Sequence, residues 1–273
     1  MYPYIHLFGR EIGTYGLCML LGIALATVLG IRRGKSRGLQ FEDVLIVGAF
    51  SLGLALISGS LLFVFVTYTP KQIWQYICMG DFKFLRSGIV FYGGLIGGIL
   101  GACIGIRVAD CKFSAMESAV VPFIPLGHAV GRVGCIMAGC CHGFPYDGPL
   151  ALYYPNSVLG LSPTQGYFPV QPLESVANLV ICLLLLKFDR RKHQKYDLLL
   201  IYLGLYATTR FFLEMLRGDM IRGIWNALST SQIISLILIG VSVTGMFVKR
   251  RLSRKKSKAP LGRAVSNIFD AGL

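Results

Sequence analysis

Residues 131–143 read GRVGCIMAGCCHG and hold one arginine, three cysteines, one histidine and four glycines. Four chemistries suit such a set: metal ligation by thiolate and imidazole, a disulfide, a reactive thiol, or a guanidinium fork for phosphate. The spacing C-x4-C-C-H matches no common zinc pattern and no second pair completes it, so no metal or other cofactor is expected. A disulfide from Cys135 to Cys140 or Cys141 stays open. Adjacent cysteines point differently, so at most one of the two is expected to face Cys135.

Other ionisable residues interrupt apolar runs, where charge is costly and marks candidate sites. Arg132 lies near the end of one such run. Arg210 and Glu214 lie four apart and share a helix face. Glu174 opens another run, as does Tyr15, and Tyr92 lies near the start of a third. Each has a plainer role to set beside the chemical one. Arg210–Glu214 suits a structural ion pair, Arg132 a snorkelling side chain, and the tyrosines an interfacial belt. His128 suits packing, and His6 and His193 suit solvated loops. Taken together, two arginines beside carboxylates at one depth suit the phosphate of an anionic lipid.

The elements that must position these residues follow from composition. The chain has 273 residues, 54% hydrophobic and only 15% charged, against about 25% charged in soluble domains. Its mean hydropathy is +0.63. The expected fold class is an all-α integral membrane protein. A span needs about 20 apolar residues, and seven transmembrane helices are predicted at 12–31, 44–66, 88–107, 116–138, 173–187, 197–215 and 231–248. Pro122 and Pro125 break the fourth, and the fifth is short. Residues 1–248 form the membrane domain and 249–273 a basic tail. The first run is no cleavable signal peptide, because its basic cluster follows it.

Lys and Arg set the orientation. Nineteen lie on one side of the predicted spans and six on the other, with loop 139–172 carrying none. This predicts an N-terminus outside, a cytoplasmic C-terminus and an extracytoplasmic loop 139–172. The net charge of +14 is therefore mostly topology. The run KRRLSRKKSK at 249–258 suits an anionic leaflet rather than nucleic acid, since no aromatic residues interleave it. Glycines at 93, 97, 101 and 105, and at 94 and 98, suit close helix packing. The four at 93–98 are dense enough to admit a lipid as well.

Several ordered pieces resemble the prolipoprotein diacylglyceryl transferase family: TYGLCMLLG at 14–22, FYGGLIGGILGA at 91–102, GRVGCIMAGCCHG at 131–143, PVQPLE at 169–174 and RFFLEMLRGD at 210–219. That family moves diacylglycerol from phosphatidylglycerol to the lipobox cysteine thiol of a prolipoprotein. The resemblance implies a multi-pass monomer in the bacterial cytoplasmic (inner) membrane. Its partners would be membrane lipid and the prolipoprotein signal peptide, with no nucleic acid. It matches Arg132 to the arginine of a Gly-Arg-x-Gly-Asn signature that binds the lipid phosphate, and Gly143 to the glycine that closes it. Tyr15, Glu174, Arg210 and Glu214 match functional positions. Tyr92, Arg210, Glu214 and Glu174 are the expected catalytic residues. Arg132, Tyr15, Gly93, Gly94, Cys135, Cys140, His142 and Gly143 are the expected substrate contacts.

Three positions depart from the family pattern. Tyr92 stands where its third-span motif begins with histidine, which leaves the general base open among Tyr92, His142 and Glu174. Cys135 replaces the signature asparagine and Cys140 its acidic residue. The chain thus resembles a variant branch with Gly-Cys for Gly-Asn. Two other readings are a paralogue that passes a lipid group to another acceptor, and a thiol redox or metal-binding membrane protein.

Overall fold

A computed structural model describes residues 2–7, 9–81, 90–190, 195–218, 224–225 and 228–258. Nine α-helices lie among the described residues: α1 (Thr14–Lys35), α2 (Phe41–Thr67), α3 (Pro70–Cys78), α4 (Phe91–Val108), α5 (Phe113–Val120), α6 (Ile124–Ala138), α7 (Val170–Asp189), α8 (Asp197–Glu214) and α9 (Thr230–Lys258). Two short antiparallel strand pairs accompany them: β1 (Tyr4–Leu7) with β2 (Arg10–Gly13) before α1, and β3 (Ile224–Trp225) with β4 (Leu228–Ser229) between α8 and α9.

Among the described residues, five stretches are long and apolar enough to cross a membrane: Thr14–Lys35, Phe41–Thr67, Phe113–Ala138, Val170–Asp189 and Thr230–Leu252. The apolar stretch Gly93–Val108 is shorter. The α8 helix holds Asp197, Arg210 and Glu214 within its 18 residues, which lowers its apolar character. The structure thus supports a mostly helical membrane protein.

The predicted boundaries shift for local reasons. The first helix begins at Thr14 rather than residue 12, because Arg10–Gly13 pair with Tyr4–Leu7. Both the amide and the hydroxyl of Thr14 donate to the Pro3 carbonyl at 2.9 Å. The fifth predicted span is longer than expected, at 20 residues. Pro122 lies in a 3-10 turn, Val121–Phe123, that separates α5 from α6. The last helix runs on into the basic tail to Lys258, while residues 259–273 lie outside those described.

The chain divides into two compact units, one of residues Met1–Gly22 and Ile124–Leu273, the other Ile23–Phe123. Within the second, α4 lies against α2 along a glycine stripe. A Cβ on Gly93 would meet the Ser58 carbonyl oxygen at 2.5 Å, and one on Gly105 would meet Val47 Cα at 2.7 Å. At Gly97 and Gly101 it would strike the Leu54 and Phe50 carbonyls. Gly94 and Gly98 face only ordinary contacts, the nearest at 3.5 and 3.7 Å. Hydroxyls complete the seam: Ser58 Oγ donates to the Gly93 carbonyl at 2.6 Å and Ser51 Oγ to that of Gly98 at 3.0 Å. We expect Gly101→Ala to destabilise this unit by about 1–3 kcal/mol, the usual range for overpacking. Thermal unfolding in a membrane mimetic would read it, and an unchanged midpoint would count against so close an approach.

In the first unit α7 shows why lipid is the expected surroundings. Gln171, Glu174, Asn178, Ile181, Cys182 and Leu185 form one buried stripe. Leu173, Val176, Val180, Leu183 and Leu184 are exposed. The polar groups sit inside and an apolar face points out, which reverses the pattern of a helix in water. Ser175 ties this helix to α6 by donating to the Ala129 carbonyl at 2.9 Å. Between α8 and α9, Ser242 Oγ donates to the Leu200 carbonyl at 2.7 Å, and Lys249 pairs with Asp197 at 2.5 Å.

Candidate functional site

Three helices bring the costly charges together. Arg132 comes from α6, Glu174 from the first turns of α7, and Arg210 and Glu214 from the end of α8. Arg132 Nη2 lies 2.8 Å from Glu174 Oε1, and Arg210 Nη1 approaches the same oxygen at 3.5 Å. Arg210 Nη2 pairs with Glu214 Oε2 at 2.6 Å, as the i, i+4 spacing predicts. One carboxylate oxygen therefore faces two guanidiniums, and both carboxylates are almost fully buried. Charges that far from water must be paired to persist.

Neighbouring hydroxyls complete the pairing. Ser229 Oγ donates to Glu214 Oε1 at 3.1 Å, and Arg210 Nη2 also reaches Ser231 Oγ at 3.5 Å. These serines come from β4 and the first turn of α9, where Ser229 and Gln232 exchange backbone and side-chain hydrogen bonds. Sequence reasoning missed both, since an uncharged serine at a helix start signals only a cap. Tyr206, one turn before Arg210, lies within electrostatic reach of Arg210, Glu174 and Arg132.

The glycine-rich stretch is an α6 helix end followed by a folded loop. Gly139, at φ 68°, ends the helix in the left-handed region that favours glycine. Its amide donates to the Cys135 carbonyl at 3.0 Å, as does that of Cys140 at 3.2 Å. Cys141 is also left-handed, at φ 56°. This second reversal corrects the expectation that only one of Cys140 and Cys141 faces Cys135. All three Sγ atoms lie within 4.8 Å of one another, and all three cysteines are free thiols. Arg132 Nη1 donates to Cys135 Sγ at 3.8 Å, and Cys140 Sγ donates to the Cys135 carbonyl at 3.9 Å.

Loop 139–169 is held from several sides. Gln171 Nε2 donates to the Cys140 carbonyl at 2.9 Å, and Gln171 Oε1 accepts from Tyr154 Oη at 3.0 Å. Tyr154 is fully buried, and burial pushes its hydroxyl up to about 12. Gln171 was visible within PVQPLE, but nothing in the sequence marked it as the loop's anchor. A Cβ on Gly143 would strike the Phe168 carbonyl, and Gly143 bridges to Arg217. His142 is buried, with Nδ1 2.8 Å from the Gly143 carbonyl and its ring edge on Tyr167.

The remaining expected residues fall as follows. Tyr15 begins α1 half-exposed, and a Cβ on Gly134 would meet its Cα at 3.1 Å. It lies within electrostatic reach of Cys135, Cys140, Cys141 and Arg132. Gly93 and Gly94 lie in the other unit, in the first turn of α4. Tyr92 is the second residue of that helix, and its side chain lies outside those described. His128 packs as expected, 3.5 Å from Tyr202 Oη and against the Tyr206 ring.

Comparison with known proteins fits this geometry. A family model described as prolipoprotein diacylglyceryl transferase matches residues 3–248. A Clostridium perfringens protein named phosphatidylglycerol–prolipoprotein diacylglyceryl transferase 2 is 32% identical over 86% of this chain and 90% of its own length. A Clostridium tetani protein named as such a transferase is 32% identical over 89% of this chain and 94% of its own. One from Clostridioides difficile is 30% identical over 90% and 94%. With a match across nearly its whole length, the chain belongs to the prolipoprotein diacylglyceryl transferase family.

Proposed function

We propose that this protein is a phosphatidylglycerol–prolipoprotein diacylglyceryl transferase acting at the Arg132–Glu174–Arg210–Glu214 cluster. The observation that carries this reading is the convergence of two guanidiniums on Glu174 Oε1, at 2.8 and 3.5 Å. Glu174 holds the two forks side by side, and Glu214 orients Arg210. A lipid phosphate bound there meets two donors with fixed direction. The acceptor thiol attacks the glycerol carbon that bears the phosphate ester. The C–S bond forms, the C–O bond breaks, and the electron pair leaves with glycerol phosphate. Arg132 and Arg210 stabilise the charge that grows on the leaving group.

Tyr15, Cys135, Cys140, His142 and Gly143 line the lipid and acceptor in this reading. The thiol proton goes to Glu174 or His142. If His142 Nδ1 donates to the Gly143 carbonyl, its lone pair is on Nε2. The protein is a monomer of seven spans in the bacterial cytoplasmic membrane, α4 and α8 supplementing the five apolar stretches. The bias of basic residues supports an outside N-terminus, an extracytoplasmic loop 139–172 and a cytoplasmic tail 249–273.

Labelled phosphatidylglycerol and a lipobox peptide test this in nanodiscs. The cysteine peptide is expected to gain the diacylglyceryl group, and a peptide with serine at that position to gain none. Equal labelling of both peptides, or of neither, would overturn the reading.

A further inference from the structure

We propose that Cys135, Cys140 and Cys141 bind one zinc ion, and that the acceptor thiol becomes its fourth ligand. The three Sγ atoms lie within 4.8 Å of one another. Tetrahedral zinc, with Zn–S near 2.3 Å, sets sulfurs about 3.8 Å apart, so closure takes about 1 Å of side-chain movement. Cys135 is buried while Cys140 and Cys141 are half-buried, so the set has a closed side and an open one. Three protein ligands with one open position are the arrangement of catalytic rather than structural zinc. A fourth sulfur from the acceptor completes a soft tetrahedral set that suits zinc.

The backbone supports the set independently. The left-handed φ of 56° at Cys141 is uncommon for a non-glycine residue. It aims a third thiol at the two already gathered by the helix end. The cluster also touches the charged site, because the Arg132 guanidinium contacts both Cys135 Sγ at 3.8 Å and Glu174 at 2.8 Å. Donation to a ligating sulfur is what an outer-shell group does at a metal centre. A thiol bound at the open position would therefore lie beside the group that faces the lipid phosphate.

This rests on the transfer reading above and replaces its side-chain base, because a metal-bound thiol gives up its proton to water. Metal binding releases the three ligand protons to water. The acceptor thiol then binds, loses its proton to water, and attacks as metal-bound thiolate. The C–S bond forms as the C–O bond to phosphate breaks. Glycerol phosphate leaves with the electron pair and takes up a proton. No electron is exchanged with any oxidant or reductant.

The test uses the full chain in nanodiscs, reduced, stripped with a chelator, and titrated with Zn²⁺ or Co²⁺ alone. We expect one ion per chain, thiolate-to-cobalt charge-transfer bands, and X-ray absorption showing three sulfurs at about 2.3 Å from zinc. The absorption measurement needs no variant. Cys135→Ser, Cys140→Ser and Cys141→Ser each lose the ion, while Cys103→Ser, an exposed thiol of the other unit, retains it. Stripping slows transfer by about 10²-fold or more, the size of the general-base contribution that the metal replaces, and Zn²⁺ restores it. A reduced chain that binds no metal overturns the zinc site, full transfer by stripped protein overturns the acceptor thiol as its fourth ligand, and both leave the transfer reading intact. Stoichiometric zinc on three sulfurs without any transfer from phosphatidylglycerol overturns the transfer reading and leaves the site.

Discussion

Arg132→Ala is expected to lose transfer from phosphatidylglycerol by about 10²–10³-fold in kcat, the cost of removing one donor aimed at developing charge. The bound lipid phosphate carries a single negative charge, and the leaving glycerol phosphate carries more. Arg132 contacts therefore strengthen along the reaction, so the loss falls on kcat more than on KM. Folding should survive, because Glu174 keeps Arg210 at 3.5 Å. Arg132→Lys should recover only part of the rate. A lysine offers one compact charge, and it cannot hold Glu174 and a phosphate with the fixed fork of a guanidinium. Steady-state kinetics with labelled lipid and lipobox peptide would check both variants. Wild-type kcat in Arg132→Ala would remove this arginine from the chemistry.

What the sequence made legible depended on cost. Arg132, Arg210, Glu174 and Glu214 could be picked out because ionised groups in apolar segments must have a reason to be there. The Arg210–Glu214 contact followed from helix geometry alone, since i and i+4 share a face. The two contacts to Glu174 did not. They join α6, α7 and α8, and no local spacing encodes which carboxylate faces which arginine. Residues with little cost left no trace: Ser229 and Ser231 complete the ion pair, yet a serine near a helix start is ordinary.

The thiols show a different limit. Reasoning that adjacent cysteines diverge assumes ordinary backbone angles at both. Gly139 at φ 68° was open to inference, because glycine after a helix end is a familiar cap. Cys141 at φ 56° was not, because a non-glycine residue seldom adopts it and no residue type announces it. The one unusual angle turns an expected pair into a three-thiol cluster. The start of α1 shifted for a related reason, since the β1–β2 pairing is a contact between segments rather than a local preference.

Glu174→Ala is expected to destabilise the protein by about 3–5 kcal/mol, the cost of breaking a buried ion pair and leaving its partner uncompensated. Here one carboxylate faces two arginines whose side chains are only 20% and 14% exposed. Arg210 retains Glu214 at 2.6 Å, so most of the penalty falls on Arg132. Removing that charge as well should return part of the loss. The double variant Arg132→Ala/Glu174→Ala should unfold with a coupling of about 0.5–3 kcal/mol relative to the sum of the single changes. Unfolding midpoints in one membrane mimetic would measure this, and a Glu174→Ala protein as stable as wild type would refute the pairing. Activity separates the two roles of the carboxylate. The double variant regains stability without regaining transfer, because the phosphate still lacks a donor. Recovery of both together would mean that Glu174 acts only by neutralising Arg132, and that neither residue faces the substrate.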